Sequence, residues 1–529
     1  MGIAKDMTAD NQTVWSDSGY VTEIPYMRDY MRYQSPVSMA FAVAANGKAF
    51  PDYAKPFKYC DLGCGEAVTT LTLAAAYPHG HFVGIDLNEQ QIRNAQELAT
   101  QAGLENVEFL ACDFSDPKIQ EYGPFEFIAA HGIYSWVAPS VQEDFHKLVD
   151  ANLAPGGLLY FCHYVRPGSA KIEAVFQLLQ SLMSGKNGSL QNRVQSALTD
   201  LKTLVDEGAP LFDYHSSIPK FIAELERRDP RYLVHEFCNQ FFHPRYFPEV
   251  AQDFRKIGCH YAGSTRFERN GLDTQFGAGV PKSLEALDLE IAEERASLLT
   301  VDQFRWDVFR RNDGFDDERK EPQERMERFF LDATTFPYAF TKETTLWDKE
   351  VSLDPEILNC LANIFQSGTA SIGTGLDDKS LHKFEKGKIH KTLLQMIGAG
   401  NLIPTMTAAQ VPQPTSKVRL VFSHKFSAAL SDRDLLTEGY ATLPSLNCGS
   451  MVGLAGFDGM AALAHNGRTS IEAKAYLKVW LTQLDKRQAE KVKRHRFQSE
   501  RGFDEAWSRF QRTVFPRLLK HQILTPILS

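Results

Sequence analysis

A chain of 529 residues is too long for a single hydrophobic core, so the sequence predicts several domains. Hydrophobic residues at 43% and charged residues at 23% are typical of globular proteins, and no apolar run approaches the roughly 18 residues of a membrane helix. A net charge of −9 argues against a protein that coats nucleic acid. The cysteines lack C-x-x-C spacing, so we expect reduced thiols, no metal site and a cytoplasmic protein.

The N-terminal segment, residues 1–56, is rich in tyrosine and precedes the first predicted strand. We interpret it as a lid over a bound cofactor and substrate. Within it, Tyr20 and Tyr26 are the candidates for contact with the substrate. The alternative for this segment is an amphipathic helix that packs on the sheet.

Residues 57–165 alternate short apolar runs with amphipathic stretches, which predicts a parallel sheet in a doubly wound α/β fold. The predicted strands are 58–62, 81–86, 107–113, 125–131 and 158–164. The predicted helices are 66–77, 89–102 and 140–153. A ligand of such a fold binds at the carboxyl ends of the strands.

After residue 165 the periodicity becomes mainly helical. Residues 166–219 predict a helical insertion, and residues 220–280 are expected to complete the sheet together with 57–165. Residues 281–330 predict a helical linker. Residues 331–529 predict a mainly helical C-terminal domain that regulates activity or recognises the substrate.

The stretch "KYCDLGCGEAVTT" runs from a predicted strand through glycines into a predicted helix. Gly63 and Gly65 let backbone amides approach a ligand closely, because neither residue has a Cβ. The pattern is not that of a dinucleotide-binding loop, since Val68 stands where a third glycine is needed. It is not a P-loop either, because no Gly-Lys-Ser/Thr follows.

Acidic residues end three successive predicted strands around this loop. Asp61 lies two residues before the first glycine, and Asp86 ends the next strand. A carboxylate about 20 residues after the loop is placed to accept hydrogen bonds from ribose hydroxyls. Asp113 ends the third strand, where the alternative role is to cap the following helix.

The motifs "DLGCGEA", "GIDLNEQQI", "ACDFSD" and "LAPGGLLY" resemble, in order and spacing, those of class I S-adenosylmethionine-dependent methyltransferases. The resemblance covers about residues 57–165 and implies a Rossmann-like seven-stranded sheet with S-adenosylmethionine as cofactor. It also implies roles for the motif residues. Asp61, Gly63 and Gly65 would lie near the amino-acid end of the cofactor, Asp86 and Leu87 at the ribose, and Cys112, Asp113 and Phe114 at the adenine. In one departure, Ala67 replaces a glycine that is frequent in the family.

A narrower resemblance extends over most of the chain. "AAHGIYSWV", "VHEFCNQFFHPRYFPEV" and "FRWDVFRR" are similar to segments of methyltransferases with a regulatory domain, a group that includes the rickettsial protein-lysine methyltransferases. Gln34-Ser35-Pro36 departs from the group's Thr-His-Pro. The resemblance implies N-methylation of lysine in a protein partner. The alternatives are a small-molecule or lipid acceptor, or a cofactor-binding regulatory protein with little activity.

The loop "HGIYSWV" follows the fourth predicted strand, where the methyl group would lie in this fold. We expect Tyr134 and His131 to border the acceptor amine, with His131 able to relay a proton and to contact the cofactor. Trp136, and His163 with Tyr164 on the fifth strand, are candidates for the substrate-binding surface. Packing in the core is the alternative role for each.

Overall fold

The structure is a computed structural model of the chain. It describes residues 19–21, 24, 30–276, 280–314, 322–333, 343–346, 349–365, 370–407, 420–422, 440–445, 450–484, 488–489, 499–520 and 524–526. Tyr26 and most of the predicted lid lie outside these ranges.

The N-terminal half is an α/β unit built around one large sheet. Its strands are β1 (Phe57–Leu62), β2 (Gly80–Asp86), β3 (Val107–Ala111), β4 (Phe125–Ala130), β5 (Leu153–Arg166), β6 (Arg245–Tyr246), β7 (Cys259–Ser264) and β8 (Phe304–Arg311). Its helices are α1 (Pro36–Ala44), α2 (Val68–Ala76), α3 (Glu89–Ala102), α4 (Pro139–Asn152), α5 (Ala170–Met183), α6 (Leu190–Asp206), α7 (Pro210–Tyr214), α8 (Ser217–Leu225), α9 (Pro230–Phe237), α10 (Phe247–Lys256), α11 (Leu272–Phe276), α12 (Lys282–Glu285) and α13 (Leu289–Leu299).

The C-terminal half contains shorter elements. The described helices are α14 (Pro322–Met326), α15 (Pro355–Phe365), α16 (Ile372–Leu376), α17 (Lys386–Gly398), α18 (Gly456–Ala464), α19 (Ser470–Gln483), α20 (Glu500–Thr513) and α21 (Phe515–Lys520). The described strands are β9 (Phe330–Ala333), β10 (Glu343–Leu346), β11 (Lys349–Ser352), β12 (Leu402–Thr405), β13 (Leu420–Phe422), β14 (Tyr440–Ser445), β15 (Ser450–Ala455) and β16 (Leu524–Pro526), which form two-stranded sheets.

The large sheet has the strand order β3-β2-β1-β4-β5-β8-β7, and the two-residue β6 pairs with the end of β5. Strands β1 to β5 are parallel, whereas β8 runs antiparallel to both β5 and β7. The predicted doubly wound, Rossmann-like sheet is confirmed. The order reverses between β1 and β4, and in open α/β sheets this is where a ligand-binding crevice forms.

Alternating side chains of the parallel strands enter two different cores, because successive strand residues point to opposite faces. On β1, Tyr59 joins the core that holds α1, α2 and α3, whereas Cys60 joins the core that holds α4 and α10. Both faces of the sheet are therefore covered. This burial explains the continuous apolar runs of the strands in the sequence.

The predicted helical linker 281–330 is wrong in part, since it contains β8, a central strand of the sheet. The sequence "FRWDVFRR" hides this strand, because two of its buried residues are charged: Arg305 donates hydrogen bonds to Asp307 on the same strand and to Glu293 on α13. The helical insertion is also longer than predicted. It extends through α8 and α9 to Phe237, so residues 220–237 belong to the insertion and not to the sheet.

The predicted single C-terminal domain 331–529 is divided in the structure. Helices α15 to α17 share the core of the sheet and α1, while α18 to α21 enclose a second core around Phe510. In the N-terminal segment, α1 is buried throughout and packs on the sheet, as the alternative to the lid proposed. Within the described parts of the chain, none of the helices combines the length and the apolar character that crossing a bilayer requires.

Candidate active site

A cavity of about 230 Å³ lies at the carboxyl ends of β1, β2 and β4, where the strand order reverses. One side is formed by the glycine loop and the ends of β1 to β3. The opposite side is formed by aromatic residues and by α9.

The glycine loop turns sharply between β1 and α2. Gly63, Gly65 and Ala67 have positive φ angles of 67°, 57° and 56°. A Cβ on Gly63 would lie 2.4 Å from the Cδ1 atom of Ile133, so no larger residue fits without a shift. The amides of Gly63 and Cys64 donate to the Ile85 carbonyl at 2.7 and 3.0 Å, which fixes the loop against β2.

The Asp86 carboxylate is held in place at the cavity by two backbone amides. Its Oδ2 accepts a hydrogen bond from the Gly65 amide and its Oδ1 from the Asn88 amide, each at 2.8 Å. Burial raises the pKa of Asp86, while these two hydrogen bonds lower it. Each oxygen keeps a second lone pair, so the carboxylate can accept from two hydroxyl groups of a ligand.

Asp61 lies beneath the loop. Its Oδ2 accepts a hydrogen bond of 2.5 Å from the Thr70 hydroxyl on α2. Burial raises the pKa of Asp61 to about 7, and the nearby Asp86 adds to this rise. A cationic ligand group beside Asp61 would favour its ionised form.

Leu87, Asp113 and Phe114 also line the cavity, as predicted for the adenine and ribose end. The Asp113 carboxylate accepts from the Ser115 amide at 2.8 Å, so it also has the local turn-stabilising role that was the alternative. Cys112 does not line the cavity. Its side chain packs against the core that contains α4.

Two of the loop residues predicted after β4 line the cavity, namely His131 and Trp136. The Nδ1 of His131 lies 2.9 Å from the Tyr160 hydroxyl, and the two rings stack. Burial lowers the pKa of His131 to about 4, so the imidazole is neutral at physiological pH. Trp136 stacks on Phe242 at 4.5 Å between ring centroids, which also gives it the packing role that was the alternative.

Tyr134 does not border the cavity, contrary to the prediction. Its ring is buried in the core with α4 and α10, on the other side of the loop. The hydroxyl lies 3.0 Å from Nε2 of His146 and accepts a hydrogen bond of 2.9 Å from Arg245. The position supports a structural role for Tyr134.

The adjacent residues His163 and Tyr164 separate because they alternate across β5. Tyr164 lines the cavity and packs edge-on against Trp136 and Phe304, at 5.4 and 4.8 Å. His163 faces the opposite side of the sheet, where its Nε2 lies 3.6 Å from Asp307. The position of His163 is therefore incompatible with the predicted substrate-binding surface.

The predicted Tyr20 lines the cavity and contacts α9. Its hydroxyl lies 3.0 Å from Nδ1 of His235, and Nε2 of His235 lies 2.8 Å from the carbonyl of Ile24. Because a carbonyl only accepts, Nε2 of His235 carries a proton and donates it to the Ile24 carbonyl. This contact attaches the N-terminal segment to α9.

Sequence reasoning missed Glu236 and His235 as residues of the site. Glu236 lies on the cavity and accepts a hydrogen bond of 2.8 Å from the Tyr164 hydroxyl. Burial raises the pKa of Glu236 to about 7. The sequence did contain an indication of these residues, because the adjacent His235 and Glu236 lie in a run of apolar residues. In the structure Leu233, Val234 and Phe237 of this run are buried.

The residues present fit a nucleoside-type ligand. The glycine loop turns sharply at the cavity, the Asp86 carboxylate is fixed there by two backbone amides, and Phe114 lines the same cavity. In the described part of the chain, no cluster of three or more histidine, cysteine or acidic residues has an arrangement that would hold a metal ion.

Comparison with known proteins agrees with this fit. Residues 54–207 match a family model described as a methyltransferase domain, and residues 229–311 match one described as a predicted methyltransferase regulatory domain. An uncharacterized protein of Synechocystis, sll1526, is 26% identical over 82% of this chain and 84% of its own length. An uncharacterized protein of Rickettsia prowazekii, RP789, is 25% identical over 56% and 54%.

A solved structure of PKMT2 from Rickettsia typhi in complex with AdoHcy has the same fold. Its TM-score is 0.69, its sequence identity is 18%, and the match covers 94% of this chain and 100% of that one. With the two domain matches and the cavity described above, the chain is an S-adenosylmethionine-dependent methyltransferase that carries a methyltransferase regulatory domain.

Proposed function

We propose that this methyltransferase N-methylates lysine side chains of a protein. The observation that carries the proposal is the composition of the cavity opposite the glycine loop. There, Tyr20, Trp136, Tyr164 and Phe304 line the cavity together with Glu236, whose carboxylate accepts a hydrogen bond from the Tyr164 hydroxyl. The resemblance to rickettsial protein-lysine methyltransferases, and the fold shared with PKMT2, support the same acceptor.

This composition suits an alkyl chain that ends in an amine. Aromatic side chains remove the methylene groups of lysine from water, and their faces attract a cationic ammonium group. A buried carboxyl group pairs with the charge of the amine. S-adenosylmethionine supplies a methyl group on a sulfonium, which is transferred to an uncharged amine.

The residues of the cofactor half have separate roles. Asp86 would hold the two ribose hydroxyls, Phe114 and Asp113 would contact the adenine, and Asp61 would lie near the amino-acid end. His131 is neutral and stacked on Tyr160, so it orients neighbouring groups without adding charge to the cavity.

The proposal is tested by incubating the protein with methyl-labelled S-adenosylmethionine and a bacterial cell extract. We expect label in discrete protein bands, and acid hydrolysis of these bands should release labelled methyllysine. The matched control is Asp86→Ala, which removes the carboxylate of the cofactor half. Label in the lipid or small-molecule fraction alone would reject a protein acceptor, and label in other amino acids would reject lysine.

A further inference from the structure

We propose that Glu236 is the catalytic base that accepts the proton of the substrate ammonium group before methyl transfer. This inference rests on the proposed lysine acceptor. It assigns a chemical step to a residue of the regulatory domain match, residues 229–311, and not of the methyltransferase domain match. Three observations support this role: the position of Glu236 at the cavity, the hydrogen bond to its carboxyl group, and the partners of the other titratable groups there.

Glu236 lies on α9 and is 9% exposed, with its carboxyl group at the aromatic side of the cavity. Its Oε2 accepts a hydrogen bond of 2.8 Å from the Tyr164 hydroxyl. Tyr164 is itself fixed edge-on between Trp136 and Phe304. The carboxyl group is thus positioned by an ordered ring, as a group that exchanges a proton with a bound amine must be.

The other acidic and histidine side chains at the cavity already have protein partners. Glu66 and Asp113 accept hydrogen bonds from Asn94 and from the Ser115 amide, and both ring nitrogens of His235 are within hydrogen-bond distance of Tyr20 and the Ile24 carbonyl. Asp61 and Asp86 lie on the cofactor side, held by Thr70 and by the Gly65 and Asn88 amides. His131 is on the cavity, but burial lowers its pKa to about 4, whereas the pKa of Glu236 is about 7. Glu236 is therefore the stronger base of the two.

Several charged or titratable groups lie near Glu236 and affect the pKa of its carboxyl group. The hydrogen bond from Tyr164 on β5 and the positive charge of Arg228 before α9 favour the carboxylate, while burial opposes it. The remaining groups whose pKa values the Glu236 charge raises are Tyr20, Cys162 and Tyr232. Burial raises the pKa values of all three, so they stay neutral near pH 7 and add no charge beside Glu236.

The step conserves charge and atoms. The Glu236 carboxylate and the lysine ammonium become a carboxylic acid and a neutral amine when one proton moves between them. The lone pair of the amine then forms the new N–C bond, while the bond between the methyl carbon and the sulfonium sulfur of S-adenosylmethionine breaks. The methylated amine carries a positive charge, and the protonated Glu236 releases its proton to water when the product leaves, which restores the carboxylate.

The test is the pH dependence of methyllysine formation on extract proteins at limiting acceptor concentration. For the wild type we expect a rate that falls below about pH 7 and is level from pH 7.5 to 9.5, because the carboxylate must be ionised. Glu236→Gln should be about 10²–10⁴-fold slower at pH 7.5. Its rate should rise about tenfold per pH unit up to pH 9.5, since only amines that are already neutral react.

Two further variants make the test independent of folding. Tyr164→Phe keeps the carboxyl group but removes a hydrogen bond to its charged form, so the acid limb should move to higher pH. Glu224→Gln on α8 makes the same chemical change at an exposed position and should leave the profile unchanged. Binding of S-adenosylhomocysteine, measured by calorimetry, should be equal in all four proteins.

Two outcomes overturn the proposal. If Glu236→Gln binds S-adenosylhomocysteine normally and its rate and pH profile match the wild type, Glu236 is not the base. If Glu236→Gln does not fold, a Tyr164→Phe profile whose acid limb stays at the wild-type pH would show that Glu236 is not the base. Wild-type protein that forms no methyllysine at any pH refutes the proposed function itself, which is a separate result.

Discussion

Removing the Asp86 carboxylate should weaken cofactor binding strongly while leaving the fold intact. The carboxylate is fixed by the amides of Gly65 and Asn88, so it meets a ribose without reorganisation. A hydrogen bond to a charged group contributes about 1.5–3 kcal/mol, and two such bonds would be lost in Asp86→Ala. The dissociation constant of S-adenosylhomocysteine should therefore rise by about 10²–10⁴-fold.

Asp86→Asn separates the contribution of the carboxylate charge to cofactor affinity from that of the side-chain shape. An amide has a single acceptor oxygen, and its NH₂ group would face the amide of either Gly65 or Asn88, which are both donors. Neutral hydrogen bonds are about half as strong as charge-assisted ones, so the affinity of Asp86→Asn should lie between the wild type and Asp86→Ala.

The assay is isothermal titration calorimetry with S-adenosylhomocysteine, with thermal unfolding as a check on folding. Asp116→Asn is the matched control, because Asp116 also accepts a backbone hydrogen bond, from Lys118 at 2.9 Å, but does not line the cavity. A dissociation constant for Asp86→Ala within about threefold of the wild type would refute the ribose contact, since that change is less than one hydrogen bond.

Three further predictions concern stability. Ala67 has a φ of 56°, which strains any residue with a Cβ. The unfolding free energy of Ala67→Gly in urea should stay within about 1 kcal/mol of the wild type, because relief of this strain offsets the lost burial. Ala67→Val should lose more than about 2 kcal/mol, because a β-branched residue is strained further at positive φ. Tyr134→Phe removes a hydroxyl bonded to His146 and Arg245 and should cost about 1–2 kcal/mol in unfolding free energy, with little change in turnover. Because folding raises the pKa of Glu236 from 4.5 to about 7, the folded state binds more protons in that range, and stability falls as pH rises through it. The stability of the wild type relative to Glu236→Gln should thus fall by about 3 kcal/mol between pH 4 and 8 in urea titrations, and a constant difference would contradict the shift.

The cofactor half of the site was predictable because its signals are local in the chain. The glycines of the loop and the acidic residue after it lie within one strand–turn–helix–strand unit, so spacing alone places Gly63 and Asp86 at the same end of adjacent strands. Even the departure at Ala67 is consistent, since this alanine has the positive φ that a glycine at that position would adopt.

The acceptor half was less predictable because it depends on register and on contacts distant in sequence. Whether Tyr134 or Trp136 points into the cavity depends on the exact turn after β4, which residue type does not reveal. His163 and Tyr164 differ only in which face of β5 they occupy, and a shift of one residue exchanges them. Glu236 meets Tyr164 across 72 residues of intervening helices.

The region that matches the regulatory domain contributes directly to the cavity, as the positions of Tyr20, His235, Glu236 and Phe304 indicate. Three of these four cavity residues fall within residues 229–311, and the hydroxyl of the fourth, Tyr20, lies 3.0 Å from Nδ1 of His235. Burial, with the charges of Asp86 and Glu236, raises the pKa of Tyr20, so its hydroxyl stays neutral in the cavity. A change in this region therefore acts directly on the cavity, and an effect on methyl transfer does not require a conformational change transmitted from a distant site. In this chain the region supplies residues that line the candidate active site.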